Sequence, residues 1–511
     1  MTKDIVFKPC EIGNVPSVFD AVAKKAGRSD FYIERSFIDA RHKDRVKVVY
    51  RIVTGQKRPD LDAEALINLN RRPLPGVKRP VIVGFGPAGM FCALILARYG
   101  LSPIVIEKGR RVDQRSADVS VYKEKGLIDP SSNIQFGEGG AGTFSDGKLY
   151  TGVSSGLKGF IGKVMMNYGA PEDIIYDAHP HVGTDNLVHV VKGIREEILS
   201  LGGHIRFEEE LLEILYDDNG VKGIITDKEE IPADRLILAV GNSSRDLIRK
   251  NVRLLGIESK PFSMGVRIEH LREDIDRAMY GFDTALYKNI SAANYKLSVD
   301  TGTGKKLYTF CMCPGGEVVP SASFPDAVCT NGMSYRARDN RNSNAALLVP
   351  FDPKEIGEDP LAGMDLQDEL ERKAFTVAGG NSFAPYMTYG DLKNSRSGTY
   401  ASRILPTYRP GAVPVDLGDI LPGIFIDTIR EGVSLMGRKI RGFDCDDAVL
   451  TAVETRSSSP VRIPRDRDSF ESLALKGVYP IGEGAGYAGG IMSSAIDGIK
   501  CANAISQSML L

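Results

Sequence analysis

The stretch Val81-Ile-Val-Gly-Phe-Gly-Pro-Ala-Gly89 places three glycines directly after a short, fully apolar run. The glycines have the spacing G-x-G-x-x-G, and an apolar segment from Met90 to Tyr99 follows them. The first glycine permits a tight turn, the second permits close approach of the backbone to a ligand, and the third lets a helix pack against the strand. With a second strand from Pro103 to Ile106, the sequence predicts a complete β-α-β unit.

An acidic residue, Glu107, stands at the end of this second strand, 18 residues after Gly89. A carboxylate at this place accepts hydrogen bonds from the ribose hydroxyls of a dinucleotide, and the start of the preceding helix attracts the pyrophosphate. The pattern therefore predicts a dinucleotide site that contains Gly84, Gly86, Gly89 and Glu107. The alternative is a glycine turn that binds no ligand.

Three further features favour FAD over NAD as the dinucleotide. The basic run Lys108-Gly-Arg-Arg111 follows the acidic strand end, and the apolar run Leu236 to Val240 ends in Gly241-Asn-Ser243. A distant segment, Tyr479-Pro-Ile-Gly-Glu-Gly-Ala-Gly486, repeats the strand-glycine-helix pattern. Flavoproteins use such a late segment to reach the ribityl chain and ring of FAD. We therefore expect FAD, with Lys108 and Arg111 among the residues that bind it.

The segment from Gly137 to Lys148 contains five glycines. Because glycine carries a high cost in backbone entropy, this composition suits a backbone that must lie close to a flat ligand. The alternative is a mobile surface loop. Lys148 is the candidate catalytic residue, although a lysine is more often a solvated surface charge. The residues of this segment expected to contact the cofactor are Gly139, Gly140, Ala141, Gly142 and Thr143.

With these motifs the chain resembles the bacterial FAD-dependent dehydrogenases that are also labelled NAD(FAD)-utilising dehydrogenases. These proteins share the flavin fold of glutathione-reductase-like enzymes. The resemblance covers nearly the whole chain and implies bound FAD and a redox role, without implying a substrate. The motifs that carry it are Gly84–Gly89, Asn133–Lys148, Phe310–Gly316, Glu454–Arg462 and Gly482–Gly490.

The resemblance also implies roles for individual residues, in groups that follow the length of FAD. The residues implied for the pyrophosphate are Gly84, Gly86, Pro87, Ala88 and Gly89. Those implied for the adenosine half are Glu107, Leu211, Gly241 and Asn242. Those implied for the pyrophosphate and ribityl chain are Gly482 and Glu483, where many relatives have Asp in place of Glu. Those implied for a helix start aimed at the flavin ring are Ile491, Met492, Ser493 and Ser494.

Two pairs of residues suggest other chemistry. Cys311 and Cys313 have strand spacing and are interpreted as small buried side chains. A C-x-x-C pair near the first helix is missing from the sequence, which argues against the dithiol relay of disulfide reductases. His179 and His181 have no third ligand at a recognisable spacing, so we expect no metal site.

Two arginines, Arg267 and Arg456, could bind an anionic substrate. An ordinary ion pair is the interpretation that we favour for both. The resemblance does not assign either residue to the cofactor.

The length of 511 residues exceeds what one hydrophobic core supports, so we expect several domains. The fold class is α/β, with a Rossmann-type FAD-binding domain, an inserted α+β substrate domain and a small N-terminal α+β domain of strand-helix-strand-strand order. The predicted domains are 1–78, 79–254 (first part of the FAD domain), 255–462 (substrate cap) and 463–511 (second part of the FAD domain). An extended linker is predicted from Arg58 to Pro80.

The charge balance excludes some partner classes. The 65 Lys and Arg residues against 66 Asp and Glu give a net charge of -1, so no broad attraction to nucleic acid or anionic membranes is expected. The sequence has no apolar run of membrane-spanning length and no apolar signal segment. Seven cysteines in a chain of this length do not form a disulfide framework, which favours a cytoplasmic protein.

The predicted function is an FAD-dependent oxidoreductase that moves two electrons between non-covalent FAD and a small-molecule substrate. One alternative is an FAD-dependent enzyme that modifies tRNA, and another is a non-catalytic flavin redox module. The sequence does not decide whether NAD(P)H is the electron donor. The chain lacks a second complete G-x-G-x-x-G unit, so NAD(P)H would have to bind without a Rossmann fold of its own.

Overall fold

The computed structural model describes residues 1–56, 58, 74–396 and 402–510. Most of the predicted linker lies outside these residues. The helices are α1 (Pro9–Ile12), α2 (Val18–Ala26), α3 (Pro87–Arg98), α4 (Val112–Lys125), α5 (Leu157–Asn167), α6 (Thr184–Ser200), α7 (Arg245–Lys250), α8 (Arg272–Tyr280), α9 (Ala362–Val377), α10 (Tyr389–Lys393), α11 (Gly423–Gly437) and α12 (Ile491–Ser506).

The strands range from two to ten residues in length. They are β1 (Thr2–Phe7), β2 (Phe31–Asp39), β3 (Lys47–Thr54), β4 (Val81–Val83), β5 (Ile104–Glu107), β6 (His204–Phe207), β7 (Leu211–Asp217), β8 (Gly220–Thr226), β9 (Glu230–Pro232), β10 (Leu236–Leu238), β11 (Glu258–Ser259), β12 (Phe262–Leu271), β13 (Ser298–Asp300), β14 (Lys306–Cys313), β15 (Glu317–Pro320), β16 (Thr330–Met333), β17 (Asn342–Phe351), β18 (Ala384–Thr388), β19 (Ala412–Pro414), β20 (Val449–Glu454), β21 (Val461–Arg462) and β22 (Val478–Pro480).

The N-terminal residues form a small α+β unit. Its antiparallel sheet has the order β1-β3-β2, and α1 and α2 lie between the first two strands in the chain. Ile12, Val22 and Ile52 are fully buried between the helices and the sheet. The helix α2 starts at a Ser17 cap and ends at Gly27, which has the left-handed conformation typical of helix ends.

Within the described ranges, five parallel strands form the central sheet, in the order β22-β10-β4-β5-β6. Every residue of β4 and β10 is buried, as expected for parallel strands that are covered on both faces. The last strand, β22, comes from the far end of the chain and pairs with β10. Because the strands are parallel, the loops that follow them meet at one edge of the sheet, where ligands bind in folds of this class.

The C-terminal helix α12 packs closely on α3, the helix that follows the glycine turn. All residues of α3 from Ala88 to Ala97 are buried. At Gly498 in α12 the two backbones approach so closely that an added Cβ would lie 2.1 Å from the carbonyl oxygen of Ala88. The opposite face of the sheet is covered by the antiparallel strands β7, β8 and β9.

The middle of the chain forms a second sheet with its own hydrophobic core. Its seven strands, within the described residues, have the order β13-β14-β17-β12-β20-β18-β19 and pair antiparallel except for β18 and β19. All ten residues of the central strand β12 are buried. Helix α11 contributes Phe425, Ile429, Val433 and Met436 to this core. None of the helices in the described ranges is long and apolar enough to cross a membrane.

We expect Gly498→Ala to lower the free energy of unfolding by about 1–3 kcal/mol, because the new methyl group collides with backbone that cannot move without separating α3 from α12. The measurement is chemical or thermal unfolding followed by circular dichroism. Gly423→Ala in α11 is the matched control, since a Cβ there meets no atom within 4 Å. Equal stability of the two variants would contradict the close packing.

Candidate functional site

A cavity of about 870 Å³ opens at the edge of the parallel sheet where the strands end. The loops after β4, β5, β10 and β22 form one wall, and strands of the middle sheet form the other. The predicted site residues in its lining are Gly84, Gly86, Pro87, Ala88, Glu107, Lys108, Gly140, Ala141, Gly142, Lys148, Leu211, Gly241, Asn242, Gly482, Glu483, Ile491 and Ser494. Segments far apart in the sequence thus meet at one cavity.

Six predicted residues lie outside this lining: Gly89, Arg111, Gly139, Thr143, Met492 and Ser493. Gly89 is used for packing, since an added Cβ would lie 2.0 Å from the carbonyl oxygen of Gly84. Met492 points into the core between the helices, because the first turn of α12 presents only one face to the cavity. The guanidinium of Arg111 lies over the ring of Phe207, 5.8 Å from its centre.

The other three residues, Gly139, Thr143 and Ser493, make contacts that stabilise the loops around them. An added Cβ at Gly139 would lie 2.0 Å from the Thr143 hydroxyl oxygen, so both residues pack within the glycine-rich segment. The carbonyl oxygen of Thr143 accepts a hydrogen bond of 2.7 Å from the hydroxyl of Thr184, at the start of α6. The hydroxyl of Ser493 donates to the carbonyl oxygen of Gly490, one turn earlier.

The carboxylate of Glu107 joins three loops. Its Oε2 accepts a hydrogen bond of 2.8 Å from the backbone N–H of Phe85, and its Oε1 accepts bonds of 2.9 and 3.0 Å from those of Gly109 and Gly137. The residue is only 6% exposed, yet it lines the cavity. A carboxylate has about four acceptor positions, so one remains for a ribose hydroxyl.

A residue that the sequence did not indicate, Arg115, fixes the glycine-rich segment. This fully buried side chain on α4 donates hydrogen bonds of 2.6 to 3.3 Å to five backbone carbonyls. Burial lowers the pKa of Arg115 to about 10, so the group keeps its charge at neutral pH. The segment is therefore held in place and is not a loosely attached surface loop. The five carbonyls belong to Asn133, Ile134, Gly137, Glu138 and Gly140.

Two observations test whether the cavity fits a dinucleotide. The side-chain amide nitrogen and oxygen of Asn242 are both buried and have no hydrogen-bond partner among the described residues. Because buried polar groups are normally hydrogen-bonded, this amide is suited to bind a polar group of a ligand. Gly86 and Gly140 both line the cavity, and their backbones approach each other closely, since a Cβ added at Gly140 would lie 3.0 Å from the Cα of Gly86. Helix α3 begins at Pro87 beside this bare backbone, which suits a pyrophosphate. The residues present therefore fit FAD.

The carboxyl group of Glu483 lies in the same wall. Burial raises its pKa to about 7, against the attraction of Lys260. At neutral pH a large share of the molecules therefore carries a protonated Glu483, which can donate a hydrogen bond to a phosphate oxygen. An ionised carboxylate would repel the same oxygen.

The candidate catalytic residue Lys148 is far from being a solvated surface charge. Its Nζ donates to the carbonyl oxygen of Met312 and lies 3.9 Å from Asp146 Oδ2. The same nitrogen is 3.9 Å from Cys311 Sγ and 3.7 Å from Cys313 Sγ. This contact could not be predicted from the sequence, because the glycine-rich segment and β14 are distant in the chain.

The carboxylate of Asp146, beside Lys148, forms an ion pair with Arg338. Asp146 accepts hydrogen bonds of 2.6 and 3.2 Å from Arg338, and both side chains are almost completely buried. Burial raises the pKa of Asp146, but Arg338 and Lys148 outweigh it, so this pKa lies below its usual value. Asp146 is therefore ionised at neutral pH.

The two arginines considered from the sequence are held in ion pairs, as we favoured. Arg267 is completely buried and bonds both carboxylate oxygens of Glu454 at 2.8 and 3.2 Å. Arg456 bonds both oxygens of Glu371 at 2.6 and 2.8 Å. Arg456 also lines the cavity, but its side chain is only 4% exposed, and its remaining nitrogen donates to the hydroxyls of Ser243 and Ser323.

The two histidines lie at the cavity wall and directly behind it. His179 lines the cavity, and His181 lies behind it with its Nε2 3.1 Å from the carbonyl oxygen of Arg336. Burial and the charge of Arg338 lower the pKa of His181 to about 3, so it is neutral under ordinary conditions. Over the described ranges, no group of three or more His, Cys, Asp or Glu side chains is arranged to hold a metal ion.

Comparison with known proteins identifies the family. A family model described as "FAD-dependent protein, C-terminal domain-like" matches residues 261–457. A protein of Clostridium beijerinckii, named "Uncharacterized protein", is 42% identical over 497 residues, which cover 93% of this chain and 91% of that protein. The chain belongs to this family of FAD-dependent proteins. Its cofactor is accordingly FAD.

Several solved structures are similar to this FAD-dependent protein at low identity. CtdE in complex with FAD is 12% identical, with a TM-score of 0.32 and coverage of 84% of this chain and 88% of that chain. Glycine oxidase from Bacillus cereus is 11% identical, with a TM-score of 0.32 and coverage of 85% and 98%. L-proline dehydrogenase from P. horikoshii is 12% identical, with a TM-score of 0.34 and coverage of 85% and 95%. TM-scores this low carry no argument about activity.

We expect Gly86→Ala to fold normally but to lose FAD affinity on the order of tenfold or more. The added Cβ meets only the Cα of Gly140, at 3.7 Å, which the protein tolerates, but it covers cavity-lining backbone that the pyrophosphate is expected to approach. FAD content is measured by absorbance after acid release, and folding by the thermal midpoint. Gly423→Ala serves again as control. Full FAD content in Gly86→Ala would show that the pyrophosphate lies elsewhere.

We expect the affinity for FAD to fall as the pH rises through 7, by at most about tenfold per pH unit. The free protein holds Glu483 protonated below a pKa of about 7. The doubly charged pyrophosphate favours this protonated form, so binding at higher pH must take up a proton. Titrations of FAD-free protein with FAD at several pH values measure the effect. Glu483→Gln should remove the pH dependence, and an unchanged profile in this variant would contradict the assignment.

Proposed function

We propose that this protein is an FAD-dependent oxidoreductase that transfers two electrons between non-covalently bound FAD and a small-molecule substrate. The proposal rests on the two walls that face each other across the cavity. Glycine loops suited to FAD face polar and ionised side chains of the middle sheet across a single space. A protein that merely stored FAD would not need this second wall.

FAD supplies the two-electron chemistry when it is bound. The chain positions it through the glycine turn, Glu107 and the start of α12, whose N–H groups stabilise negative charge. The buried Arg115 keeps the glycine-rich segment rigid, so that the backbone does not have to reorganise when the cofactor binds. No covalent attachment is required by this arrangement.

The middle unit forms the proposed substrate side. Tyr295, Phe310 and Phe324 offer apolar surface, while Lys148 and Arg338 offer positive charge. A small molecule with an apolar body and a polar or anionic end fits these groups. The size of the enclosed space favours such a molecule over a folded RNA, and the net charge of -1 gives nucleic acid no general attraction.

The test is anaerobic reduction and reoxidation of the purified yellow protein. Heat or acid should release intact FAD into the supernatant, and dithionite should reduce the bound flavin. Reoxidation by dioxygen or a quinone, repeated with catalytic amounts of protein and a screened donor, would demonstrate turnover. Failure with every donor and acceptor pair, in protein with full FAD content, would favour a non-catalytic flavin module.

We expect NAD(P)H to reduce the flavin slowly or not at all in stopped-flow mixing, whereas dithionite reduces it readily. Within the described residues there is one parallel sheet with a glycine turn, and its pyrophosphate site belongs to FAD. A nicotinamide cofactor would have to bind without a helix start of its own. The absorbance of oxidised flavin is followed with time, and reduction by NAD(P)H as fast as by dithionite would identify a self-sufficient reductase instead.

A further inference from the structure

The strand β14 carries a β-bulge where it enters the cavity. Its register against β17 shifts between Phe310, which lies opposite Ala346, and Cys313, which lies opposite Asn344. Two residues, Cys311 and Met312, therefore stand opposite one. Cys311 also has a left-handed backbone conformation, with φ of 43°. Bulges redirect side chains and are common beside active sites.

The bulge turns two cysteines towards one lysine. In a regular strand, side chains two residues apart stand about 6.6 Å from each other. Here both sulfur atoms lie within 3.9 Å of Lys148 Nζ, at 3.9 Å for Cys311 and 3.7 Å for Cys313. Cys311 lines the cavity, whereas Cys313 is completely buried behind it.

The surroundings of the pair carry an excess of positive charge. Lys148, Arg267 and Arg338 are three cations, and the carboxylates of Asp146 and Glu454 balance only two of them. Arg267 also lies within 4.0 Å of Cys313 Sγ and bonds the carbonyl oxygen of Cys311 at 3.1 Å. A buried unbalanced cation is unfavourable, and one thiolate would neutralise it.

The two thiols respond to these surroundings in opposite directions. The neighbouring Cys313 side chain and the charges of Lys148 and Arg267 outweigh burial and hold the pKa of Cys311 well below its usual value. The neighbouring Cys311 side chain and burial hold the pKa of Cys313 well above its usual value, and the Cys313 thiol donates a hydrogen bond of 3.3 Å to the carbonyl oxygen of Cys311. The accessible sulfur is thus the reactive one, and the inner sulfur keeps its proton.

We propose that Cys311 and Cys313 form a redox-active dithiol that exchanges two electrons with a small-molecule disulfide in the cavity. Cys311 is the attacking group, Cys313 the resolving group and Lys148 the cation that stabilises the thiolate. The substrate class is a low-molecular-weight disulfide or its thiol form. A C-x-C pair on a bulged strand supplies the sulfur atoms. The C-x-x-C pair near the first helix that disulfide reductases use is missing from the sequence.

The exchange balances in two steps. The thiolate of Cys311 attacks one sulfur of the disulfide R–S–S–R, so that a Cys311–S–S–R bond forms and R–S⁻ leaves, which takes up a proton to become R–SH. Cys313 then loses its proton and attacks Cys311 Sγ, which forms the Cys311–Cys313 disulfide and releases the second R–S⁻, protonated by that proton. One substrate disulfide is reduced to two thiols while the two cysteines are oxidised by two electrons.

This inference deepens the proposed function, and it rests on that function only for the passage of electrons between the dithiol and the flavin. The exchange with a disulfide needs no flavin chemistry. The two ideas can therefore fail separately. Flavin content, dithionite reduction and turnover test the oxidoreductase, whereas the thiol chemistry of residues 311 and 313 tests the dithiol.

The experiment uses the FAD-loaded protein under anaerobic conditions with oxidised glutathione as the probe. After a short exposure, free thiols are blocked with N-ethylmaleimide and peptides are mapped by mass spectrometry. We expect the peptide with Cys311 and Cys313 to have lost two hydrogens and to carry no N-ethylmaleimide. The exposed Cys10 is the internal reference and should react more slowly with oxidised glutathione at neutral pH, because no paired cation among the described residues favours its thiolate. If both cysteines carry N-ethylmaleimide after glutathione has modified Cys10, the proposal is overturned.

Variants assign the two roles. Cys313→Ser should trap one glutathione on Cys311, because the resolving thiol is gone, and Cys311→Ser should leave Cys313 unmodified. Lys148→Met should shift the pH profile of the exchange to higher pH and slow the exchange by up to about tenfold at pH values below the pKa of Cys311, and Lys148→Arg should restore most of the rate there. Cys445→Ser is the matched control, since this half-buried cysteine lies outside the cavity lining. An adduct on Cys313 in Cys311→Ser, in variants with full FAD content, would overturn the assignment.

Discussion

The carboxylate of Glu107 accepts hydrogen bonds from backbone N–H groups of three different loops, and the geometry of the cavity depends on it. Each of these donors is buried, and a buried N–H without a partner costs about 1–3 kcal/mol. The acceptor therefore fixes the relative positions of the glycine turn, the loop after β5 and the glycine-rich segment. Arg115 supplies the complementary positive charge and satisfies the carbonyl groups of the same segment. Together they allow irregular backbone to be buried beside a ligand.

The two large units are also joined by buried polar contacts around the cavity. The amide of Gln135 donates to the carbonyl oxygen of Ser321 at 3.1 Å and accepts a bond of 2.9 Å from the hydroxyl of Ser243. Arg456 donates to the same hydroxyl, and Arg338 reaches across to Asp146. These contacts are directional, so they set the distance between the flavin side and the substrate side more strictly than apolar packing alone would.

The sequence predicted the parts of this fold that depend on local patterns. The glycine spacing, the apolar strands and the late segment near Gly482 indicated one parallel sheet made from distant parts of the chain, and the structure contains that sheet. The role of Arg115 could not be predicted from the sequence, because an arginine in a polar helix has the pattern of a surface residue. Only the folded chain shows its five carbonyl partners. Strand spacing predicts small buried side chains at Cys311 and Cys313, and Cys313 is buried, but a bulge that spacing cannot reveal brings Cys311 to the cavity lining. The roles assigned to individual residues in binding FAD stay predictions.

The pairing of β22 with β10 and of α12 with α3 has a consequence for how the protein is made. Helix α3 is apolar on every side, and until residues 478–506 have left the ribosome part of its surface has no partner. A nascent chain that ends earlier contains the glycine turn but not the second half of the pocket, so it exposes apolar helix surface of the kind that chaperones bind. Retention of the cofactor therefore depends on residues 478–506, and proteolytic removal of this segment would abolish it although every residue of the glycine turn remained intact.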